Sequence, residues 1–337
     1  MRAMVLHNPS DVKLDPLKFE ELSPPEYRED EILVKVETCG VCRTDLHIVE
    51  GDLPPKLPAV VPGHEIVGRV LEIGSSVKSL CKGDLVGIPW LHDTCGRCEF
   101  CVSGRENLCD HKTFTGYNVN GGYAEYVTAK EGYVFSLPNS DPIELAPLMC
   151  AGIIGYRAMK LSFPRPGGSI GFFGFGGSAH LALQLASKLG YETTAYSRSS
   201  THLDLAKKLG ATNTVQSNSD EDLARPTLDS AIVFAPAGQV VLQALKNVKK
   251  GGIVCIAAIH MTNIPEIDYA RYLFGERKIL SVEANTRSDA REFLDLAVRL
   301  RLQSKVNERK LEQANEALRE LKNGKVNGAL VLNCKIN

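Results

Sequence analysis

The sequence contains one compact cluster of potential metal ligands, made of Cys95, Cys98, Cys101 and Cys109. Two residues separate each of the first three cysteines and seven precede the last, so one loop can bring four thiolates to the corners of a tetrahedron. Such a site is typical of structural zinc, because four protein sulfurs leave no vacancy for a substrate and metal binding folds the loop. An iron–sulfur ligand set and disulfides are the alternatives.

A second set of candidate ligands is dispersed along the chain. Cys42 lies in Gly-Val-Cys-Arg-Thr-Asp, His64 and Glu65 lie in Pro-Gly-His-Glu, and Cys150 lies in Met-Cys-Ala-Gly. Each residue alone is weak support for a site, because a buried cysteine commonly acts as a small hydrophobe and a lone histidine as a core residue. Thiolates and imidazoles are, however, ligands that catalytic zinc takes.

A glycine-rich turn follows an apolar strand pattern and opens a helical one, which is the context that a dinucleotide-binding fingerprint requires. Glycines let the backbone approach a pyrophosphate, and the helix N-terminus supplies unpaired amides and the positive end of a dipole. A simple turn is the alternative. The residues expected to bind the cofactor here are Gly174, Gly176, Gly177, Ser178 and Ala179, the last of which fills the third small position.

The following strand pattern ends without the acidic residue that would bind the ribose 2′-hydroxyl of NAD. Its last residues are Ala195-Tyr196-Ser197-Arg198-Ser199. Hydroxyl groups together with Arg198 suit a 2′-phosphate, so the sequence favours NADP, with NAD as the second choice. In the alternative interpretation, Arg198 covers the adenine of NAD.

The elements that must position these residues change in type along the chain. Up to Pro147, segments such as 31–36, 67–72 and 123–129 predict a β-rich unit. Beyond it, strand and helix patterns alternate, which predicts a doubly wound parallel sheet. The strand candidates are 169–173, 193–196, 230–234, 252–257 and 278–282, and the helix candidates are 149–161, 179–189, 203–209 and 240–245. A helix over 311–321 and a strand over 328–332 are expected to return to the β-rich unit.

These motifs together resemble the zinc-dependent medium-chain alcohol dehydrogenase family, in which a Gly-Val-Cys-x-Thr-Asp turn, a Gly-His-Glu turn and a distant cysteine hold the catalytic metal. The similarity covers essentially the whole chain, including the cysteine cluster. It implies an α/β fold with a β-rich second domain. A GroES-like β-barrel catalytic domain would comprise 1–148 and 286–337, and a Rossmann domain with a doubly wound parallel sheet would comprise 149–285.

The resemblance also implies a catalytic zinc beside the structural one, two zinc ions per chain. Cys42, His64 and Cys150 would hold it and leave its fourth position open, so that it acts as a Lewis acid on the substrate oxygen. Glu65 would approach the metal during ligand exchange, and Asp45 would hydrogen-bond His64 and fix its tautomer. For both carboxylates the alternative is an ordinary solvated acid.

Further roles come from the same resemblance. Thr44 and His47 would bind the substrate oxygen and relay its proton through the cofactor ribose, which suits a histidine near neutral pH. His47 could instead be a surface residue without a role. Arg43 would face the pyrophosphate, and alignment on Leu209-Gly210-Ala211 places Ser197 at the acidic position. The residues expected near the nicotinamide are Ala235, Ala257 and Ile259.

The sequence thus predicts an enzyme that transfers a hydride between a primary aliphatic or aromatic alcohol, or its aldehyde, and NADP(H) or NAD(H). Polyols and other secondary alcohols are alternative substrates, although polyol dehydrogenases of the family commonly have glutamate where this chain has Cys150. A crystallin-like structural protein that binds cofactor is the non-enzymatic alternative. Trp90 is interpreted either as a pocket wall or as a core residue.

Composition limits the partners and the compartment. With a formal net charge of -1, the chain has no long-range attraction for nucleic acid or for anionic membranes, so we expect a small-molecule substrate. The first residues lack the apolar segment of a signal peptide, charges and prolines interrupt each apolar stretch, and clustered cysteines fit a reducing compartment. We therefore expect a cytoplasmic protein. The resemblance implies a homodimer or homotetramer.

Overall fold

The computed structural model describes residues 1–162, 164–217 and 227–335, and its contacts divide the chain into two compact units. The first unit consists of Met1–Cys150, Ala284–Glu292 and Ser304–Asn337, and the second of Ala151–Glu283 and Phe293–Gln303. Cys150 thus belongs to the first unit and Phe293–Gln303 to the second, whereas the family resemblance places each in the other domain.

The strands and helices are numbered in chain order. The strands are β1 (Arg2–Leu6), β2 (Leu17–Glu21), β3 (Glu31–Val41), β4 (Glu65–Ile73), β5 (Leu85–Ile88), β6 (Leu91–Asp93), β7 (Thr113–Phe114), β8 (Tyr126–Lys130), β9 (Phe135–Ser136), β10 (Ser169–Phe173), β11 (Glu192–Ser197), β12 (Asn213–Gln216), β13 (Leu228–Val233), β14 (Val248–Ile256), β15 (Lys278–Ser281), β16 (Val306–Lys310) and β17 (Ala329–Asn333). The helices are α1 (Arg43–Glu50), α2 (Glu99–Val102), α3 (Pro142–Leu145), α4 (Ala151–Ser162), α5 (Gly177–Lys188), α6 (Ser200–Lys208), α7 (Gly238–Asn247), α8 (Arg287–Arg299) and α9 (Ala314–Lys322). Within the described ranges, no helix has both the length and the apolar character that crossing a membrane would require.

The first unit is built on a largely antiparallel sheet with the strand order β16-β17-β3-β4-β5-β9, and β8 also pairs with β3. The long strand β3 is central because it pairs with β4, β8 and β17. Its residues Ile32, Val34 and Val36 are fully buried at alternate positions, as expected for a strand that presents one face to a core. This sheet brings distant parts of the chain to the two ends of β3.

The second unit contains a parallel sheet with the strand order β12-β11-β10-β13-β14-β15. Every residue of β10 is buried, which is typical of a central parallel strand covered on both faces. The strand order reverses direction between β10 and β13, and a crevice at such a switch point is where doubly wound sheets bind ligands. Gly174 and Ala235 lie at this point, with the amide of Ala235 donating to the Phe173 carbonyl over 3.2 Å.

The alternating strands and helices predicted from the sequence are confirmed, and β10 has the predicted bounds. Helix α8 was not expected from the sequence, because charged residues lie between the members of its buried apolar stripe. This stripe has helical spacing and consists of Ala290, Phe293, Leu294 and Ala297. The helix start also carries a capping box, since Thr286 Oγ1 accepts from the Asp289 amide and Asp289 Oδ2 accepts from the Thr286 amide, both over 3.0 Å. Both signals were present in the sequence.

Candidate metal centres and dinucleotide site

The four dispersed candidate ligands meet in the first unit. Cys42 lies between β3 and α1, His64 and Glu65 lie at the start of β4, and Cys150 follows a 3-10 turn over Ala146–Met149. Each offers one ligand atom, and these atoms lie within 4.8 Å of one another. The antiparallel pairing of β3 with β4 explains part of the meeting, because it places the end of one strand beside the start of the other.

A glycine in β3 makes room for the Glu65 carboxylate. Gly40 is paired directly with Glu65 across the two strands. A Cβ at position 40 would lie 1.9 Å from Glu65 Oε2, far inside any allowed contact. The buried carboxylate therefore lies over the backbone of β3, and only glycine leaves space for it there.

The carboxylate of Asp45 links the separate segments of this cluster. Asp45 is fully buried, and its Oδ1 accepts from the Gly63 amide over 3.2 Å and lies 2.9 Å from His64 Nδ1. Its Oδ2 accepts from the Cys42 amide over 2.9 Å and from the Tyr123 hydroxyl over 3.1 Å. One side chain in the first turn of α1 thereby holds two candidate ligands in place.

The imidazole of His64 fits a metal ligand. Its Nδ1 is directed at Asp45, and its Nε2 is buried with no hydrogen-bond partner in the part of the chain that the structure describes. Burial disfavours the charged ring, yet Asp45 and Cys42 raise the pKa of His64 well above its usual value. The surroundings of Nε2 thus favour a positive charge, which a cation can supply as well as a proton.

The two cysteines of the cluster differ in acidity. A hydrogen bond from Cys150 and the neighbouring His64 lower the pKa of the Cys42 thiol well below its usual value, although burial opposes this. The pKa of Cys150 is raised by that same pairing and by burial. The direction of these shifts makes Cys42 the more acidic of the two thiols, and two sulfurs with one imidazole are a donor set that zinc accepts.

Three residues of α1 lie next to this cluster in sequence. Thr44 is buried, with its Oγ1 3.7 Å from the Cys42 sulfur. His47 is buried too, and its Nδ1 lies 2.7 Å from Asp52 Oδ2. Arg43 donates from Nη2 to the Leu321 carbonyl over 3.4 Å, and burial lowers its pKa.

Trp90 packs directly on the metal-ligand cluster. Its ring meets the His64 ring edge to face at 4.8 Å between centroids. On its faces it stacks with Phe114 at 4.6 Å and with Tyr117 at 6.0 Å. Trp90 is therefore a buried core residue and, at the same time, an aromatic neighbour of the candidate ligand.

The compact cysteine cluster has the geometry of a tetrahedral site. The four sulfurs lie within 4.8 Å of one another, and the distances from the Cys101 sulfur are 3.9 Å to Cys95 and 3.5 Å to Cys98. Sulfurs that surround zinc at about 2.3 Å in a regular tetrahedron are about 3.8 Å apart. All ten cysteines of the chain are free thiols, which excludes disulfides from this cluster as the structure has it.

Backbone amides donate hydrogen bonds to sulfurs of the compact cysteine cluster. The Cys98 amide donates to the Cys95 sulfur over 3.4 Å, and the His111 amide donates to the Cys109 sulfur over 3.4 Å. Hydrogen bonds from the Arg97 and Cys98 amides lower the pKa of Cys95 to about 6. Thiolates held by amide donors are the form in which cysteine binds metals.

The glycine-rich turn of the second unit connects β10 to α5. Gly174 has φ 88°, and a Cβ there would lie 2.9 Å from the Ala235 nitrogen. Gly176 is the N-cap of α5, and a Cβ at that position would meet no described atom within 4 Å. Gly176 has no side chain with which to cap this helix start. Gly177 and Ser178 form its first turn and Ala179 is buried beneath them, so a phosphate group fits here.

The residues predicted to choose between NADP and NAD lie at the carboxyl end of β11. The Ser197 hydroxyl accepts from the Ser199 amide over 3.2 Å, and Ser199 is the N-cap of α6. Arg198 is exposed. At the ends of later strands, Ala257 follows β14 and Ile259 is 47% exposed.

Sequence patterns did not single out Gly40 or Tyr123, although both residues contact the cluster of dispersed ligands or its hydrogen-bond partner Asp45. Gly40 belongs to the same motif as Cys42, so its position before a candidate ligand was the only available signal. Tyr123 follows a pair of glycines far along the chain, and nothing in its sequence neighbourhood predicts its contact with Asp45.

The clearance at Gly40 gives a testable prediction. Gly40→Ala should lower the free energy of unfolding of the first unit by about 1–3 kcal/mol, because the new methyl group overlaps Glu65. The control is Gly132→Ala, whose Cβ would meet only an Arg287 nitrogen at 3.8 Å and should change stability by less than about 0.5 kcal/mol. Urea unfolding followed by the fluorescence of Trp90, the single tryptophan, measures both. Equal stability of the two variants would contradict the prediction.

Solved structures of dehydrogenases are similar to the whole chain. A cinnamyl alcohol dehydrogenase from Sorghum bicolor matches with a TM-score of 0.91 and 26% identity, over 99% of this chain and 97% of that one. The acetophenone reductase from Geotrichum candidum, in complex with NAD, matches at 0.88 and 28% over 98% and 96%. A zinc-binding dehydrogenase from Sinorhizobium meliloti, described as putative and bound to NADP, matches at 0.86 and 27% over 98% of each chain.

Sequence comparisons agree with the structural ones. A family model for the alcohol dehydrogenase GroES-like domain matches residues 28–139, and one for zinc-binding dehydrogenases matches residues 177–299. An alcohol dehydrogenase of Mycobacterium tuberculosis, described as probable, is 45% identical over 98% of this chain and 97% of its own length. An alcohol dehydrogenase of Geobacillus stearothermophilus is 41% identical over 95% and 96%. The chain therefore belongs to the zinc-dependent medium-chain alcohol dehydrogenase family and is an oxidoreductase with a GroES-like and a Rossmann-type domain.

Proposed function

We propose that this alcohol dehydrogenase interconverts primary alcohols and aldehydes, uses NADP(H) in preference to NAD(H), and holds two zinc ions per chain. The observation that carries the proposal is the cluster formed in one unit by buried His64 and Glu65 and half-buried Cys42 and Cys150. Because His64 Nε2 is buried without a hydrogen-bond partner among the described residues, a cation satisfies an atom that would otherwise be costly to bury.

Cys42, His64 and Cys150 are the proposed permanent ligands of the catalytic zinc, and Glu65 is the transient one. When bound, zinc supplies a Lewis acid that makes an alcohol hydroxyl more acidic and polarises an aldehyde carbonyl. Asp45 keeps the proton on His64 Nδ1 and leaves Nε2 free to bind. The cluster of Cys95, Cys98, Cys101 and Cys109 is the proposed structural site.

Thr44 and His47 are proposed to handle the proton of the substrate hydroxyl. Thr44 is close to the metal ligands, as its contact with the Cys42 sulfur indicates, so its hydroxyl can hold the substrate oxygen. His47 is held by Asp52, whose side chain is 40% exposed and can pass a proton on to water. Arg43 remains the predicted partner of the cofactor pyrophosphate.

Metal analysis of cysteine variants tests the two-site proposal. The wild-type chain should contain two zinc ions. Cys42→Ser should retain one and lose at least about a hundredfold in kcat/KM, because an activated substrate oxygen accounts for several kcal/mol of the barrier. Cys98→Ser should also retain one zinc ion but mainly lower the unfolding temperature, because its metal stabilises a loop.

The control for these variants is Cys81→Ser, which changes an exposed thiol that belongs to neither cluster. It should keep two zinc ions and wild-type activity. Turnover by Cys42→Ser at the wild-type rate would refute the catalytic site, and iron in place of zinc would refute the metal assignment.

The preference for NADP rests on the end of β11, where Ser197 replaces the expected acid and Arg198 is exposed beside it. A 2′-phosphate carries negative charge, so a guanidinium and serine hydroxyls can bind it and no carboxylate in this segment repels it. Ser199 caps α6, so this helix start adds its positive dipole end. Structural neighbours bind either NAD or NADP and do not decide between them.

Cofactor kinetics of an Arg198→Ala variant test this preference. The KM for NADPH should rise about tenfold to a hundredfold, the value of a lost charge-assisted hydrogen bond, while the KM for NADH changes less than about twofold. Arg299→Ala, which removes another exposed arginine of the same unit, should change neither value. Equal effects of Arg198→Ala on the two cofactors would show that its side chain does not contact the phosphate.

The substrate proposal favours primary alcohols, including aromatic ones. One structural neighbour is named a cinnamyl alcohol dehydrogenase, which supports an aromatic primary alcohol as substrate. Secondary alcohols are the second candidate, because another neighbour is named an acetophenone reductase. Cys150 in place of the glutamate of polyol dehydrogenases argues against sugar alcohols.

We also propose a cytoplasmic homodimer or homotetramer. Free thiols at all ten cysteines suit a reducing compartment. Strand β15 is the last strand of the parallel sheet in the described residues, and the segment before it exposes Tyr269 by 62% and Phe274 by 65%. Exposed aromatic residues beside a sheet edge favour pairing with a second copy of the chain.

Size measurements by light scattering test the assembly. Phe274→Glu should shift the wild-type oligomer to a smaller species, because a charge replaces an apolar contact. Leu14→Glu alters an equally exposed residue of the first unit and should leave the oligomer intact. A monomeric wild-type chain would contradict the proposal.

A further inference from the structure

The hydrogen bonds around Asp45 form a closed set. An ionised carboxylate offers about four lone-pair positions. Asp45 has four neighbours in place for them: the amides of Cys42 and Gly63, the ring of His64, and the hydroxyl of Tyr123. Three of the four belong to the candidate metal ligands or to the residue next to one, and only Tyr123 comes from outside these segments.

We propose that Tyr123 is a positioning residue of the catalytic metal centre, because its hydroxyl completes the hydrogen bonding of Asp45 and through Asp45 orients the ring of His64. The inference rests on the metal site proposed above. It concerns a residue outside the proposed ligand set of Cys42, His64, Glu65 and Cys150. The hydrogen bond from Tyr123 restricts rotation of the Asp45 carboxylate.

The hydroxyl of Tyr123 can act only as a donor to this carboxylate. Tyr123 is fully buried, and burial together with the charge of Asp45 raises its pKa well above the usual value. The raised pKa therefore favours the protonated hydroxyl, which is the donor in this contact. The 3.1 Å contact with Asp45 Oδ2 is a hydrogen bond from a neutral donor to a buried anion, a type worth more than a neutral pair.

The ring of Tyr123 is held by contacts that do not involve its hydroxyl. A Cβ on Gly63 would lie 2.4 Å from Tyr123 Cδ1, so the ring packs against the backbone next to His64. The Tyr123 amide donates to the Pro62 carbonyl over 2.9 Å, and its carbonyl accepts from the Met4 amide over 2.8 Å. A phenylalanine would keep all of these contacts, so Tyr123→Phe isolates the effect of the hydroxyl.

Loss of the hydroxyl should weaken zinc binding at one site only. In Tyr123→Phe the affinity for the catalytic-site zinc should fall about tenfold, within the range found when outer-shell partners of metal ligands are removed. Zinc remaining per chain after dialysis against graded concentrations of pyridine-2,6-dicarboxylate measures this affinity. The structural zinc should be retained as in the wild type.

The control is Tyr133→Phe, which removes another largely buried tyrosine hydroxyl, bonded to Thr94 over 2.6 Å. It should leave the affinity of the catalytic site within about twofold of the wild type. A spectroscopic measurement distinguishes positioning of His64 from a purely structural role of the Tyr123 hydroxyl. With Co²⁺ in the catalytic site, the visible absorption bands should shift in Tyr123→Phe and not in Tyr133→Phe, because only the former lets the His64 ring reorient.

A double variant tests the route through Asp45. If Tyr123 acts on the metal through that carboxylate, Tyr123→Phe should have no further effect on zinc affinity in an Asp45→Ala background. Additive losses would overturn the proposal. So would unchanged zinc affinity in Tyr123→Phe, or a Tyr123→Phe chain that fails to fold while Tyr133→Phe folds, since the hydroxyl would then support the fold.

Failure of the metal-site proposal itself gives a different result. In that case Cys42→Ser would hold as much zinc as the wild type, whatever Tyr123→Phe does. If Cys42→Ser loses one zinc ion and Tyr123→Phe retains both with wild-type affinity, the metal site stands and only the role of Tyr123 is refuted.

Discussion

The buried carboxylate of Asp45 is the interaction on which the arrangement of the first unit's metal-ligand cluster depends. It binds the backbone at Cys42, the backbone at Gly63 and the ring of His64, so the end of β3 and the start of β4 cannot separate without exposing an unpaired charge to an apolar interior. Such exposure costs far more than the bonds are worth in water. The negative charge would also compensate for a cation bound by His64.

Close backbone approaches are the second constraint. Gly40 leaves the space that the Glu65 carboxylate occupies, and Gly63 leaves the space for the ring of Tyr123. In both cases the side chain lies where a Cβ of the glycine would otherwise be, so an ionisable group packs closely against the backbone. The arrangement of the ligand cluster therefore requires glycine at positions 40 and 63 as well as the ligands themselves.

The two cysteine-containing clusters are constructed on different principles. The compact one is local: its four sulfurs come from one loop, and amides of that loop donate to the sulfurs of Cys95 and Cys109. The dispersed one depends on strand pairing, because Cys42, His64 and Cys150 come from three separate parts of the chain. A local site can stabilise its own loop, whereas a dispersed site is available only after the sheet has formed.

The sequence by itself determined the compact cysteine cluster, the glycine-rich turn after β10 and the alternation of strands and helices, because each is encoded by residues close together in the chain. It also contained the capping box and apolar stripe of α8, although the charged residues between them hid the helix. Family resemblance brought Cys42, His64 and Cys150 together, which their spacing could not do. Only the tertiary structure decided that Gly40 faces Glu65, that Trp90 lies against His64 and that Tyr123 completes the bonding of Asp45. Those contacts join residues far apart in the chain, so they depend on strand register and side-chain packing, which no local pattern encodes.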